Sequence, residues 1–142
     1  MSANSRLTIA THALAWMASH ERLGGTWTTS EQIAGSVKTN PVVIRRLMAA
    51  LVKAGVVDSG RGPGAGWRLA RPPARITLRD VDEAVGSEPS FAMHRHEPSP
   101  LCPVAQGIRP ALAPVYARVD EAVRRELERT TLAEVLDSTL AG

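Results

Sequence analysis

Gly60-Arg61-Gly62-Pro63-Gly64-Ala65-Gly66, followed at once by Trp67-Arg68-Leu69, decides how this chain is read. Glycine alternating with Arg61, Pro63 and Ala65 sustains neither a helix nor a strand, but it suits a tight exposed turn. Val56-Val57-Asp58 before the turn and Trp67-Arg68-Leu69 after it are β-prone, so the run predicts a hairpin. From Lys38 to Arg75 stand Lys38, Arg45, Arg46, Lys53, Arg61, Arg68, Arg71 and Arg75 against Asp58 alone. That is a local charge of +7 in a chain whose total is +3, so the remainder sums to −4. Charge gathered on one segment, more than the mild total, indicates a polyanionic partner, because a concentrated cationic surface neutralises phosphates and releases their counterions.

Upstream of the hairpin the pattern is helical. Leu7, Ala10, Leu14 and Met17 recur at three- and four-residue spacing, widened by Ile9, Ala13 and Trp16, which predicts a helix from Arg6 to His20. Gly24-Gly25 ends it. Thr28 with Glu31, and Thr29 with Gln32, form two overlapping capping boxes that open a short helix reaching Val37, with Ile33, Ala34 and Val37 inward. Lys38-Thr39-Asn40 is a tight turn. Asn40-Pro41 then starts another helix, since Asn caps well and Pro at the first helical position needs no N–H. Val43, Leu47, Ala50, Leu51 and Ala54 are expected on its buried face, with Arg45, Arg46 and Lys53 off it and Gly55 terminating it. Helix, turn, helix and hairpin in this order make a winged helix-turn-helix, a scaffold for gripping duplex DNA.

Downstream, Pro72-Pro73 stiffens a connector, and Thr77 caps a helix that buries Val81, Ala84 and Val85 and closes at Gly86. Ser87 to Pro103 reads as an irregular loop. Pro103 to Arg129 keeps an apolar rhythm through Ile108, Leu112, Val115, Val119, Ala122 or Val123, and Leu127. Pro110 and Pro114 predict a kink or a late start in this long helix. Thr131 to Glu134 is a further capping box, leading a final helix through Leu136 to Leu140. The sequence partition is therefore residues 1–86 as a DNA-binding domain, 87–102 as a loop and candidate sensor region, and 103–142 as a dimerisation helix with a C-terminal helix. The fold class is mostly α with a small β-hairpin wing.

The totals exclude other classes. With 142 residues, 44% hydrophobic, the chain makes one domain or one domain with a helical appendage. Arg6 and His12 interrupt any N-terminal apolar run, so neither a signal peptide nor a membrane span is expected and a cytoplasmic location is. One cysteine, Cys102, excludes an intrachain disulfide framework. No catalytic constellation is visible, and the chain is not expected to be an enzyme. The Gly60–Gly66 turn is no nucleotide loop, since it lacks the Lys-Ser/Thr ending and leads into a strand.

The strings Lys53-Ala54-Gly55-Val56-Val57, Arg61-Gly62-Pro63-Gly64-Ala65-Gly66-Trp67-Arg68-Leu69-Ala70-Arg71-Pro72-Pro73 and Ile76-Thr77-Leu78-Arg79-Asp80-Val81 resemble the Rrf2 family of winged-helix bacterial transcriptional regulators, as does the tail Thr130 to Val135. That family includes the iron–sulfur cluster regulator and the cysteine-metabolism repressor. The resemblance implies a homodimer on a partly palindromic operator, usually a repressor, with the last helix returning to the DNA-binding domain. The sequence supports a dimer independently, because a small domain cannot cover the stripe of so long an amphipathic helix.

The candidate DNA-contacting residues are Thr29, Thr39, Asn40, Val42, Arg45 and Arg46 on the helical side and Arg61, Gly62, Pro63 and Gly64 in the wing. Asn40 has two open readings, a helix cap and a bidentate partner for adenine. Arg45 and Arg46 either touch DNA or form a solvated face. Arg61 sits at the turn between glycines, with no core to support, and matches the family's wing arginine; it is expected to reach a narrow groove. Trp16 and Trp67 are read as packing residues. Many family members carry three loop cysteines that hold an iron–sulfur cluster. With Cys102 alone no cofactor is expected here, since a cluster needs about three or four ligands. Cys102-Pro103-Val104 resembles the segment of cluster-free members, and Cys102 is read either as a redox sensor or as an inert thiol. His94, His96 and Cys102 could form an N/N/S metal site, but the spacing is not a standard zinc pattern and solvated loop histidines are the simpler reading. A small-molecule effector entering at the loop or the long helix is compatible with this scheme. The alternative function is a winged-helix module that docks a protein, which would have no need of the +7 window.

Overall fold

The computed structural model describes residues 5–142. The first positions of the 1–86 partition, residues 1–4, lie outside the described residues. The elements are α1 (Arg6–Arg22), α2 (Ser30–Val37), α3 (Pro41–Lys53), β1 (Val57–Ser59), β2 (Trp67–Leu69), a 3-10 turn (Pro73–Arg75), α4 (Leu78–Val85), α5 (Pro103–Glu128) and α6 (Leu132–Leu140). They form two compact units. The first comprises residues 5–87 and 127–142, the second residues 88–126.

The first unit is built on α1, against which α2, α3, α4 and α6 all pack. Its central helix is rich in alanine, and Ala10, Ala13, Ala15 and Ala18 are buried beside Leu14 and Met17. Small side chains let neighbouring helices approach, while Leu14 and Met17, both 0% exposed, fill the space between them. Full burial of a side chain of that size contributes about 1.5–3 kcal/mol. The larger Leu7, Ile9 and Trp16 pack only at the margin of this core.

Local signals set the helix ends. Thr29 caps α2 through the reciprocal box with Gln32. The competing box of Thr28 with Glu31 does not form, because Thr28 is fully buried and pairs in an antiparallel bridge with Trp67. Asn40 Oδ1 accepts from the Val42 N–H at 2.9 Å, with Pro41 in the first turn. At the other end of α3, the Gly55 N–H reaches the Val52 carbonyl at 3.0 Å and the Val56 N–H reaches the Leu51 carbonyl at 2.9 Å. This Schellman closure needs a left-handed residue, which Gly55 supplies at φ 76°. It also turns the chain so that Val56 and Val57 drop into the core.

The buried face of α3 differs from the sequence expectation. Ile44, Leu47, Met48 and Leu51 are buried. Val43 and Ala50 are only half-buried, and Ala54 is exposed. Val42-Val43-Ile44 is a continuous apolar run, so helical spacing alone admits more than one phase, and packing selects the one that buries the bulkier Ile44 and Met48.

β1 and β2 pair antiparallel, Val57 with Leu69, Asp58 with Arg68 and Ser59 with Trp67. The Glu21 carboxylate accepts from the Leu69 N–H at 3.0 Å, fastening the hairpin to the end of α1. α4 starts at a box between Thr77 and Asp80. The sequence partition grouped the last helix with the long one, yet α6 belongs to the first unit. A bridge between Thr77 and Thr131 ties its start to that of α4, and Leu132 and Leu136 are buried.

In the second unit, α5 begins at Pro103 and is helical through Pro110 and Pro114, so the late start does not occur. The prolines are one turn apart and, like Gln106, are exposed, so the Gln106 and Pro110 carbonyls that lose their helical partners belong to solvent-facing residues, where the loss costs least.

Candidate nucleic-acid interface

α2, the turn at Lys38 and α3 form the helix-turn-helix. Lys38 makes the turn in the left-handed region, at φ 63°. With Ile44, Leu47, Met48 and Leu51 buried, the 3.6-residue period places Val42, Arg45, Arg46 and Ala49 on the opposite, outer face of α3, and all four are exposed. Thr39 is half-buried just before the helix, and the Asn40 side chain is engaged as the cap.

The wing tip is closed by a hydrogen bond from the Gly60 N–H to the Gly66 carbonyl at 2.8 Å, and Arg61, Gly62, Pro63 and Gly64 are exposed on it. Gly66 is confined twice. Its φ is +79°, and a Cβ there would overlap the Thr28 carbonyl. Thr28 also donates its hydroxyl to the Trp67 carbonyl at 3.1 Å, so the strand that leads out of the wing is anchored at its first residue. Trp67 packs against the core, as its sequence context suggested.

One cleft joins these elements. It is lined by Thr29, Ser30 and Glu31 of the α2 start, Arg45 of α3, and the wing residues Ser59, Gly60, Gly62, Gly64, Ala65, Gly66 and Trp67. Thr29, Arg45, Gly62 and Gly64 thus meet at one place. Arg61 lines a neighbouring recess with Trp27 and Arg68. Thr39, Asn40, Val42, Arg46 and Pro63 line neither.

Three features escaped the sequence reading. Arg45 is held, with Nη1 donating to Ser30 Oγ at 3.2 Å and lying 3.9 Å from Glu31 Oε1. Glu31 is held below the usual carboxylate range, first by its own backbone N–H, then by the Ser30 hydroxyl, with the Arg45 charge adding to both. On the wing's outer side the Arg68 guanidinium lies 4.7 Å from the Trp27 ring centre and 3.8 Å from Asp58. The contacts made by Arg45 and Arg68 link positions ten or more residues apart, so only the adjacent serine and glutamate of the cap sequence gave any local sign of them.

The second unit holds the loop candidates. Arg109 staples the loop to α5, donating to Glu97 at 3.1 Å and to the His94 and His96 carbonyls at 2.9 and 3.1 Å. His94, His96 and Cys102 border one cleft over Ile108 and Leu112. Cys102 is exposed.

An exposed helix face beside a glycine-tipped hairpin, with cations on both, defines a winged helix-turn-helix DNA-binding protein. Residues 3–138 match the profile of the Rrf2 family, described as an iron-dependent transcriptional regulator, and this chain belongs to that family. YwnA of Bacillus subtilis (strain 168), whose name places it among HTH-type transcriptional regulators, is 41% identical over 136 residues, 94% of this chain and 96% of YwnA. A crystal structure described as that of a DNA binding protein matches with a TM-score of 0.74 and 36% identity, over 93% of this chain and 99% of that one. CymR (YrzC), the global cysteine regulator of B. subtilis, shares the fold with a TM-score of 0.68 at 21% identity, over 97% of this chain and 98% of CymR. The protein is a DNA-binding transcriptional regulator. Among the described residues no three His, Cys, Asp or Glu side chains converge on a point that could hold a metal ion. No helix of the described residues is long and apolar enough to cross a membrane.

Proposed function

We propose that the protein is a homodimeric repressor that binds a partly palindromic operator without an iron–sulfur cluster. The observation that carries this reading is the cleft at which Arg45, the α2 start and the wing meet, set within the +7 segment. The outer face of α3 enters the major groove, where Val42, Arg45 and Arg46 approach base edges and phosphates, with Thr39 and Asn40 at the helix start and Thr29 at the start of α2. Arg61, with Gly62, Pro63 and Gly64, follows the adjacent minor groove, whose negative potential draws a guanidinium.

The dimer reading is supported by α5. None of its residues is buried, and Val104, Ile108, Val115 and Val123 are 74, 43, 39 and 42% exposed. They recur on one side of the helix, and a second α5 covers them at the least cost. A two-fold pair presents its recognition helices to half-sites about 34–36 Å apart. The exposed thiol of Cys102 and the cleft beside it give an oxidant or a small effector a point of entry in the same unit. Such a signal regulates only by binding the two arrangements of the dimer with different affinity.

The test is selection of bound fragments from genomic DNA by the purified full chain, with and without oxidant, together with sedimentation. The expected result is a dimer that enriches a partly palindromic site, with affinity falling steeply as salt rises. A monomer with no preference over random competitor overturns the reading, and weak, salt-insensitive binding favours a protein-docking module.

A further inference from the structure

Glu31 is out of place on a surface built to attract phosphates. It is exposed at the start of α2, it lines the DNA-facing cleft, and its carboxyl is stabilised as the anion. An anion there lowers affinity for any duplex, so it should serve something other than affinity.

Its contacts supply the purpose. Ser30 Oγ donates its one proton to Glu31 Oε2 at 3.1 Å. The same oxygen then has only lone pairs left, and it accepts from Arg45 Nη1 at 3.2 Å. Glu31 Oε1 lies 3.9 Å from that same nitrogen. The chain of donation has one polarity, guanidinium to hydroxyl to carboxylate, and Ser30, only 6% exposed, fixes its middle. Both contacts fall on Nη1, and the Nε–Nη2 edge of Arg45 has no hydrogen-bond partner among the described residues. Two parallel N–H donors on one edge match the O6 and N7 acceptors of guanine.

We propose that Glu31 is a positioning residue for sequence readout. Acting with Ser30, it holds Arg45 so that the free guanidinium edge addresses a guanine in the major groove, and its charge discourages a phosphate from occupying that edge. This rests on the placement of α3 in the major groove argued above. A guanidinium anchored at one end loses less side-chain freedom on binding, so the correct base gains more than the backbone does.

The test compares the full chain with E31Q, S30A and R45K. Each is titrated against the selected operator, against operators changed singly at every position, and against random duplex, at two salt concentrations. Thermal melts confirm that each variant is folded. For E31Q the expected result is a loss of about tenfold in preference at one guanine per half-site. Random DNA should bind more tightly, with a salt slope steeper by about one phosphate contact per subunit. R45K should lose the same base preference while keeping the parent slope, and S30A should fall between them. A role confined to capping α2 would shift affinity for all sequences alike and leave the base pattern intact, which overturns the proposal. An R45K variant that keeps its guanine preference overturns it too. If the parent protein prefers its operator and E31Q keeps every preference, only the role of Glu31 fails. If the parent shows no preference at all, the placement of α3 fails with it.

Discussion

The two units of this molecule use apolar residues in opposite ways. Every buried hydrophobic side chain of the described residues lies in the first unit, residues 5–87 and 127–142. α5, at 26 residues twice the length of the 13-residue α3, buries none. The second unit is held within itself by polar and aromatic contacts: the Arg109 staple, a bond from the Ser90 N–H to Asp120 at 2.8 Å, and the Phe91 and Tyr116 rings at 5.4 Å. One unit spends its hydrophobicity inward and so fixes the mutual placement of α3 and the wing. The other keeps a stripe in reserve, and a stripe of that kind is stable in water only when something covers it.

Four substitutions probe this contrast. Leu14→Ala, at a fully buried position, should destabilise the first unit by about 2–5 kcal/mol in denaturant unfolding. A loss under 1 kcal/mol would show that its core is looser than described. Ile108→Glu on α5 should leave the melting of that unit nearly unchanged. It should convert the dimer to monomer in sedimentation and lower operator affinity by about tenfold or more; an intact dimer would move the interface off this stripe. Gly66→Ala should cost about 1–3 kcal/mol through its left-handed backbone and the Thr28 carbonyl. The loss should appear as reduced amide protection in the hairpin ahead of the helices. Arg61→Ala should leave stability unaltered, lower operator affinity, and flatten the salt slope by about one unit. An unchanged slope and affinity would remove the wing tip from the interface.

What the sequence disclosed follows from the range over which each determinant acts. The hairpin was legible because alternating glycines and flanking β-prone triplets are contiguous, and the starts of α2, α3 and α4 were legible because Thr29, Asn40 and Thr77 act within three residues of themselves. The inward face of α3 was not, since three successive apolar residues, Val42 to Ile44, leave the helical phase to be set by packing. The continuity of α5 was hidden because Pro110 and Pro114 carry a penalty that depends on whether the freed carbonyls meet water. Thr28 had a plausible cap role that a single bridge to Trp67 overrode. At the candidate interface, the residue types were readable, but the hold of Ser30 and Glu31 on Arg45 depends on how α2 and α3 cross.

Cys102 is the chain's one cysteine, and its side chain is exposed in the second unit. Maleimide chemistry on the unaltered protein therefore places a single probe per copy, beside the very helix thought to bring two copies together. A nitroxide attached there would give one interspin distance per assembled pair and none for isolated chains, so association and its response to operator or oxidant become measurable without engineering a single codon.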